Sequence, residues 1–332
     1  MAFLKRLLLL LFLCGFGFVG WLAWFATTPI SLASTPLEFE VPSGASLRAA
    51  AQQLAATGFG FAPWQFVLLG RLSGKSTEIK AGSYEAEAGI TPWQLLMKLS
   101  RGDVTQSEVL FLEGKTFHDY RAALDGNPDL RHDTTGLSDR DILARLGARE
   151  GSPEGLFFPD TYLFAKQSSD LEILRRAYRN LQKRLDREWQ ARDPTLPFKS
   201  PYEGLILASI IEKETGSPAD RPEVAAVFVN RLRQGMLLQT DPTVIYGLGA
   251  RFNGNLRKQD LTTDTPYNTY TRLGLPPTPI AMPGLASLQA AFHPAASQNL
   301  YFVARGDGSS KFSRTLEEHN RAVAKYQRHQ GG

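Results

Sequence analysis

Residues 203–216 restrict the fold of this chain more than any other stretch. They read Glu-Gly-Leu-Ile-Leu-Ala-Ser-Ile-Ile-Glu-Lys-Glu-Thr-Gly. On a helix of about 3.6 residues per turn, the side chains of Leu205, Leu207, Ile210 and their apolar neighbours cover almost the whole circumference. A helix that is apolar on all sides is buried. The stretch therefore predicts a core helix around which a sizeable domain packs.

The last turn of this predicted helix carries two carboxylates. Glu212 projects along the line of Ala208 and Ser209, where small side chains would let a bulky ligand approach, whereas Glu214 projects into a crowded wall beside Leu207. Loss of water disfavours the charged form of an acid, so an acid held here could keep a proton and donate it near neutral pH. The alternative is that Glu212 only ends a core helix in a salt bridge.

The N-terminus predicts a membrane anchor. Lys5 and Arg6 precede an uncharged run, 7–27, about as long as a bilayer crossing requires. Trp21 and Trp24 suit the far interface, and the basic pair marks the cytoplasmic end. We therefore expect a short cytoplasmic tail (1–6), a transmembrane helix (7–27), a linker (28–36) and an exported remainder, with a cleaved signal peptide as the alternative.

Composition excludes several other classes. The net charge of +4 is spread over interspersed acids and bases, so nothing indicates a nucleic-acid partner. The single cysteine, Cys14, lies in the apolar run and rules out an intramolecular disulfide. None of the five histidines stands at metal-ligand spacing from another ligand type. We predict neither a metal nor a cofactor.

Residues 37–103 predict a small subdomain. A strand at 37–42, a helix ending at Gly58, a second helix at 62–72 and a returning strand at 79–86 give the order βααβ, with a third helix at 91–101. This order, with its Pro-Ser-Gly-Ala-Ser-Leu opening, resembles a LysM domain, a module that binds the N-acetylated sugars of chitin and peptidoglycan. A packing or spacer domain is the alternative.

The remainder predicts a connecting region (104–152) and a larger mixed α/β domain (153–330), which makes the fold class α+β. In the larger domain a loop follows a helix stopped by Gly235, and it carries Gln239, Asp241 and Tyr246. The irregular segment 251–282 carries Asn268 and Tyr270. Loops on a packed scaffold often carry binding residues, and amides and phenols suit sugars. The alternative is a surface loop stiffened by prolines.

Several ordered motifs together resemble the endolytic murein transglycosylases, the YceG-like family. They cover about 154–320 and include Leu207-Ala-Ser-Ile-Ile-Glu-Lys-Glu-Thr215, Val227-Phe-Val-Asn-Arg-Leu232, Leu238-Gln-Thr-Asp-Pro-Thr-Val-Ile-Tyr-Gly247, Tyr267-Asn-Thr-Tyr270, Gly274-Leu-Pro-Pro277, Leu300-Tyr-Phe-Val303 and Glu154-Gly-Leu-Phe-Phe-Pro-Asp-Thr-Tyr162.

The resemblance implies a single-pass protein of the inner membrane with a periplasmic catalytic domain. It implies cleavage between N-acetylmuramic acid and N-acetylglucosamine within nascent glycan strands, which leaves a 1,6-anhydro end and terminates elongation. Its partners would be peptidoglycan strands, the inner membrane and peptidoglycan synthases. The family's acid matches Glu212. Analogy and loop placement assign substrate binding to Gln239, Asp241, Tyr246, Asn268 and Tyr270. Glu214 is included among the substrate-binding candidates, with two interpretations: it orients Glu212, or it belongs to a structural pair.

Two other functions stay open at this stage. One is a non-catalytic peptidoglycan-binding scaffold at the synthesis machinery, with the LysM-like unit as its working part. The other is a conventional muramidase, which needs a second carboxylate beside the acid. Asp241 and Glu214 are the candidates for that second group.

Overall fold

The apolar N-terminal run forms helix α1 (Ala2–Thr27) in the computed structural model, which describes residues 2–42 and 44–327. Its segment Phe3–Thr27 is long and apolar enough to cross a membrane. The predicted membrane span 7–27 therefore lies within one continuous helix.

The C-terminal end of α1 packs against the residues that follow it. Phe25 is buried, and the ring of Trp21 stacks on that of Trp64 with centroids 5.4 Å apart. Ile30, in the predicted linker, is also buried, and its N–H donates to the Ile90 carbonyl at 2.8 Å. The linker is thus part of a packed core.

The described residues divide into two compact units. The first runs as far as Glu108 and includes Leu163–Ser168, and the second comprises Val109–Tyr162 and the described residues from Ser169 onward. Strands β3 (Gln106–Leu110) and β4 (Thr161–Ala165) pair with each other, and the chain changes unit within both. The predicted connecting region therefore belongs mostly to the second unit, which differs from the boundaries expected at 103 and 152.

The first unit has the predicted strand–helix–helix–strand order. Strands β1 (Leu37–Val41) and β2 (Gly82–Ala86) pair antiparallel, and the helices α2 (Leu47–Thr57) and α3 (Pro63–Leu72) lie between them in sequence. Helix α4 (Pro92–Arg101) follows. The element order is confirmed, and the LysM-like identity stays a prediction.

Local sequence explains where these helices begin and end. Ser46 caps α2 by accepting a hydrogen bond from the Ala49 N–H, and Gly58 ends it with a φ of +119°. Ser43, in the Pro-Ser-Gly-Ala-Ser-Leu opening of the predicted subdomain, lies outside the described residues. Phe39 packs between Phe59 and Tyr84, with ring centroids 5.0 and 5.5 Å away, and anchors the small sheet to the helices.

The second unit is mainly helical. Its helices are α5 (Phe117–Asp125), α6 (Asp139–Leu146), α7 (Asp170–Ala191), α8 (Pro201–Glu214), α9 (Arg221–Arg233), α10 (Asp241–Leu248), α11 (Lys258–Thr262), α12 (Leu285–Phe292) and α13 (Leu316–Tyr326). A 3₁₀ turn (Gly249–Arg251) follows α10, and β5 (Tyr301–Ala304) and β6 (Ser310–Ser313) form an antiparallel hairpin. His329 lies outside the described residues.

Helix α8 is the centre of this unit, as its sequence predicts. Every residue from Gly204 to Ile211 is buried, and α7, α9, α10 and α12 pack against it. The side of small residues is filled by α12 and the segment before it. A methyl group on Gly204 would lie 2.2 Å from Phe292 Cζ, and Ser209 Oγ accepts a hydrogen bond from the Ile280 N–H at 3.0 Å. The expectation that this side leaves room for a ligand is therefore wrong along the body of the helix.

Candidate active site

Glu212 lies in the last turn of α8, and its carboxyl group is partly buried. Its Oε2 accepts hydrogen bonds from the Gly284 N–H at 3.0 Å and from the Ser287 hydroxyl at 2.7 Å. Within residues 2–42 and 44–327, no group donates a hydrogen bond to Oε1. One oxygen is thus fixed by the protein, and the other is available to a ligand.

Both donors belong to the N-terminus of α12. Gly284 is the N-cap residue, and Ser287 lies in the first turn. A helix N-terminus carries partial positive charge from its unpaired N–H groups. The carboxyl of Glu212 therefore has polar surroundings, rather than the apolar surroundings expected from the sequence.

A second carboxylate, Glu113, reaches the same place. A methyl group built on Gly284 would lie 1.9 Å from Glu113 Oε1, so both glutamates lie against this glycine. Partial burial of its carboxyl and the nearby charge of Glu212 raise the pKa of Glu113, and Arg221 acts in the opposite direction. The sequence analysis did not identify Glu113, because nothing in its local pattern indicates contact with the end of α8.

Backbone pairing holds the segment that carries Glu113. The Gly114 N–H donates to the Met282 carbonyl, and the Met282 N–H donates to the Lys115 carbonyl, each at 2.8 Å. Lys213 Nζ also donates to the Gly114 carbonyl at 3.2 Å. These bonds tie the chain after β3 to the chain before α12, so the two glutamates are supported by short rigid segments.

Two clefts in the second unit are lined by Glu113 or by the residue next to Glu212 in sequence. The smaller, about 520 Å³, is lined by Glu113 and Lys115. The larger, about 1470 Å³, is lined by Lys213, Ile280 and Tyr246 among other residues. Clefts of this size accept a ligand, and aromatic side chains in the larger one suit the faces of sugar rings.

Glu154 is a buried acid in the larger cleft. Its Oε1 accepts from the Phe117 N–H at 3.0 Å, and its Oε2 accepts from the Tyr246 hydroxyl at 3.1 Å. Burial raises the pKa of Glu154 to about 7, although both hydrogen bonds lower it. This carboxyl group links the start of α5 to α10 in the lining of the larger cleft.

We expect Glu154 to make folding stability depend on pH. Because its folded-state pKa is raised, its contribution to stability is present below pH 4.5 and is lost as the pH rises through about 7. Relative to wild type, the Glu154→Gln variant should therefore gain about 2 kcal/mol in free energy of unfolding between pH 5 and pH 8. Urea titrations of the full chain in detergent measure this difference, and a constant difference across that range would contradict it.

Two of the predicted binding residues lie on a helix, where the sequence indicated a loop. Asp241 begins α10 and Tyr246 lies within it. The loop expectation is therefore wrong for these residues, because Pro242 stands in the first turn, where a helix needs no N–H from it. Of the six predicted binding residues, Tyr246 is the one that lines the larger cleft.

The other predicted residues lie around the start of α10. Glu214 accepts a hydrogen bond from the Thr240 hydroxyl, and burial raises the pKa of Glu214. The Tyr270 hydroxyl donates to Asp241 Oδ1 at 2.5 Å. Gln239 is exposed, with a φ of +50°. Glu214 thus joins α8 to the start of α10 rather than contacting Glu212.

The side-chain amide of Asn268 is used in hydrogen bonds to the surrounding backbone. It is fully buried, and its Nδ2 donates to the carbonyls of Asp260, Leu261 and Thr263 at 2.7–3.1 Å. Its Oδ1 accepts from the Tyr270 N–H at 2.9 Å. The amide therefore holds the irregular segment together, and its contact with a glycan stays a prediction.

One group of possible metal ligands occurs in the described part of the chain. Atoms of Asp125, His132 and Asp170 lie within 4.8 Å of one another. Asp170 already accepts hydrogen bonds from the Thr134 N–H and hydroxyl, and these bonds stabilise its buried carboxylate. Sequence spacing gave no indication of this group, because its members come from separate segments.

The chain is similar to proteins of known family. The model of the YceG-like family matches residues 39–325. An endolytic murein transglycosylase of Bacillus subtilis is 32% identical over 316 residues, which cover 88% of this chain and 85% of that protein. One of Streptococcus pneumoniae is 30% identical over 295 residues, which cover 75% of this chain and 51% of that protein.

The fold is similar as well. A yceG-like protein of Listeria monocytogenes, known from a crystal structure, superposes with a TM-score of 0.52 and 28% identity. The match covers 87% of this chain and 99% of the Listeria chain. With the family match extending over 39–325 and a relative at 32% identity, the chain belongs to the YceG-like family.

Proposed function

We propose that this chain is an endolytic peptidoglycan lytic transglycosylase with Glu212 as its catalytic acid and base. The observation that carries the proposal is the geometry of Glu212: Oε2 is held by Gly284 and Ser287, and Oε1 is left for a ligand. The names of the relatives from Bacillus subtilis and Streptococcus pneumoniae support the reaction class.

The reaction needs no water. Glu212 gives its proton to the oxygen that joins N-acetylmuramic acid to N-acetylglucosamine, and the bond from that oxygen to C1 breaks. The resulting carboxylate takes the proton of the muramoyl C6 hydroxyl, whose oxygen bonds to C1. One carboxyl group serves both steps because the nucleophile belongs to the substrate and is held in place.

The larger cleft would bind the glycan strand. Tyr246 and Tyr267 line it, with ring centroids 4.9 Å apart, next to the end of α8. Gln239, Asp241 and Tyr270 remain candidates for contacts beyond this cleft. In this proposal Asn268 and Glu214 act indirectly, by holding the segments that carry the binding residues.

Helix α1 would anchor the enzyme in the inner membrane, with the N-terminus in the cytoplasm and the catalytic unit in the periplasm. The basic residues Lys5 and Arg6 support this orientation. There the enzyme would cut nascent strands made by neighbouring synthases and so terminate their elongation. The first unit would either bind glycan, as a LysM-like module, or set the distance from the membrane.

The masses of the products test the proposal. Glycan strands incubated with the full chain in detergent should give fragments with 1,6-anhydro ends, which are one water lighter than fragments with reducing ends. Reducing ends would establish the muramidase alternative. If binding occurs without soluble fragments, the chain is a scaffold and not an enzyme.

A further inference from the structure

We propose that Glu113 and Glu212 work as a pair at one reaction centre, in which the carboxylate of Glu113 assists proton donation by Glu212. The inference rests on the proposed function and adds a residue to it. Neither the predicted site nor the alternative second carboxylates, Asp241 and Glu214, include Glu113.

The first support is the place where the two side chains meet. Glu212 takes the N–H of Gly284, and the carboxyl of Glu113 lies where a methyl group of that residue would be, 1.9 Å from the position of such a carbon. The backbone of Gly284 has a φ of −75°, which any residue can adopt. Close approach by Glu113 therefore explains a glycine that backbone conformation does not require.

The second support is the charge around the pair. Two carboxylates that lie close together disfavour each other's ionisation, because like charges repel. Partial burial of its carboxyl group raises the pKa of Glu113, and the neighbouring charge of Glu212 raises it further.

Other groups from the surrounding segments also face the pair. Arg221 of α9 lowers the pKa of Glu113, and the charges of both glutamates act on the Tyr120 hydroxyl of α5. Lys213 and Lys115 lie on the adjoining segments. Burial raises the pKa of the Tyr120 hydroxyl, so it stays neutral. The positive charges of Arg221, Lys213 and Lys115 reduce the repulsion between the two carboxylates. Within the described chain, neither Lys213 nor Lys115 donates a hydrogen bond to either carboxyl group.

The third support is access. Glu113 is exposed on the side of the smaller cleft, while Lys213, the neighbour of Glu212, lines the larger one. Glu113 can therefore be reached from the smaller cleft, and the end of α8 that carries Glu212 adjoins the larger cleft through Lys213.

The test is the pH dependence of kcat/KM on glycan strands, measured for the full chain in detergent. Glu113→Gln keeps the size of the side chain and removes its charge. We expect the rate at the optimum to fall by about 10-fold, and the alkaline half-activity point to move down by about one pH unit. Glu113→Asp, which keeps a carboxyl group, should restore part of both.

The outcomes separate this inference from the proposed function. The pairing of Glu113 with Glu212 is refuted if the rate falls while the alkaline limb of the pH profile stays in place. It is also refuted if both Glu113 variants have the wild-type profile. In either case an inactive Glu212→Gln variant would still support the catalytic role of Glu212. If Glu113→Gln does not fold, the pH profile of Glu113→Asp decides between the two roles. A shorter side chain weakens the interaction between the two carboxyl groups and so shifts the alkaline limb, whereas a purely structural role would leave that limb in place. Products with reducing ends from the wild-type protein would refute the lytic reaction. The shift of the alkaline limb in the Glu113 variants would still test the pairing of Glu113 with Glu212.

Discussion

Glu212→Gln should abolish the release of soluble fragments from glycan strands, with turnover reduced by ~10²–10⁴-fold. The amide oxygen can still accept hydrogen bonds from the Gly284 N–H and the Ser287 hydroxyl, which now hold Oε2. The helix and its neighbours should therefore stay in place. What is lost is the proton, because an amide cannot protonate the glycosidic oxygen. Binding to insoluble peptidoglycan should persist, so the defect lies in the chemical step.

A matched control lies at the other end of the same helix. Glu203 is in the first turn of α8, where its Oε2 accepts from the Lys199 N–H at 2.6 Å. Glu203→Gln makes the same chemical change and keeps an acceptor, so cleavage should continue at the wild-type rate. Near-normal turnover by Glu212→Gln under conditions where Glu203→Gln is active would remove Glu212 from the catalytic role.

The core helix was the most predictable part of the fold. Its apolar circumference predicted burial on all sides, and the buried run from Gly204 to Ile211 confirms it. The placement of Glu212 at the end of this helix also followed from the sequence. The pattern could not show what fills the helix face, because Phe292 and Ile280 reach it from distant segments.

Other parts of the site were not predictable for physical reasons. The helix α10 is short and contains Pro242 and Gly247, so its residues read as a loop. Glu113 lies in a region with weak patterning, and only the backbone pairing of Gly114 and Lys115 with Met282 brings it to Glu212. Periodicity reports which face of an element is buried, but it does not report which distant segment comes to that face.

The second large effect should come from a single methyl group. Gly284→Ala should lower kcat/KM by about 10-fold, as Glu113→Gln does, because the new carbon would occupy the place of Glu113 Oε1 and move that carboxyl away from Glu212. The clash is with the end of a flexible side chain, and the φ of −75° suits alanine. Loss of glycine at the N-cap costs at most about 1 kcal/mol, so the protein should fold.

Two comparisons show whether this loss passes through Glu113. Gly216→Ala adds a methyl group into open space beyond the end of α8, and it should leave the rate unchanged. The double variant Glu113→Gln with Gly284→Ala should be no slower than the slower of its two single variants, because both changes remove the same interaction. Fully additive losses in this cycle would mean that Gly284 acts on Glu212 alone, through its N–H, and that the two glutamates are independent.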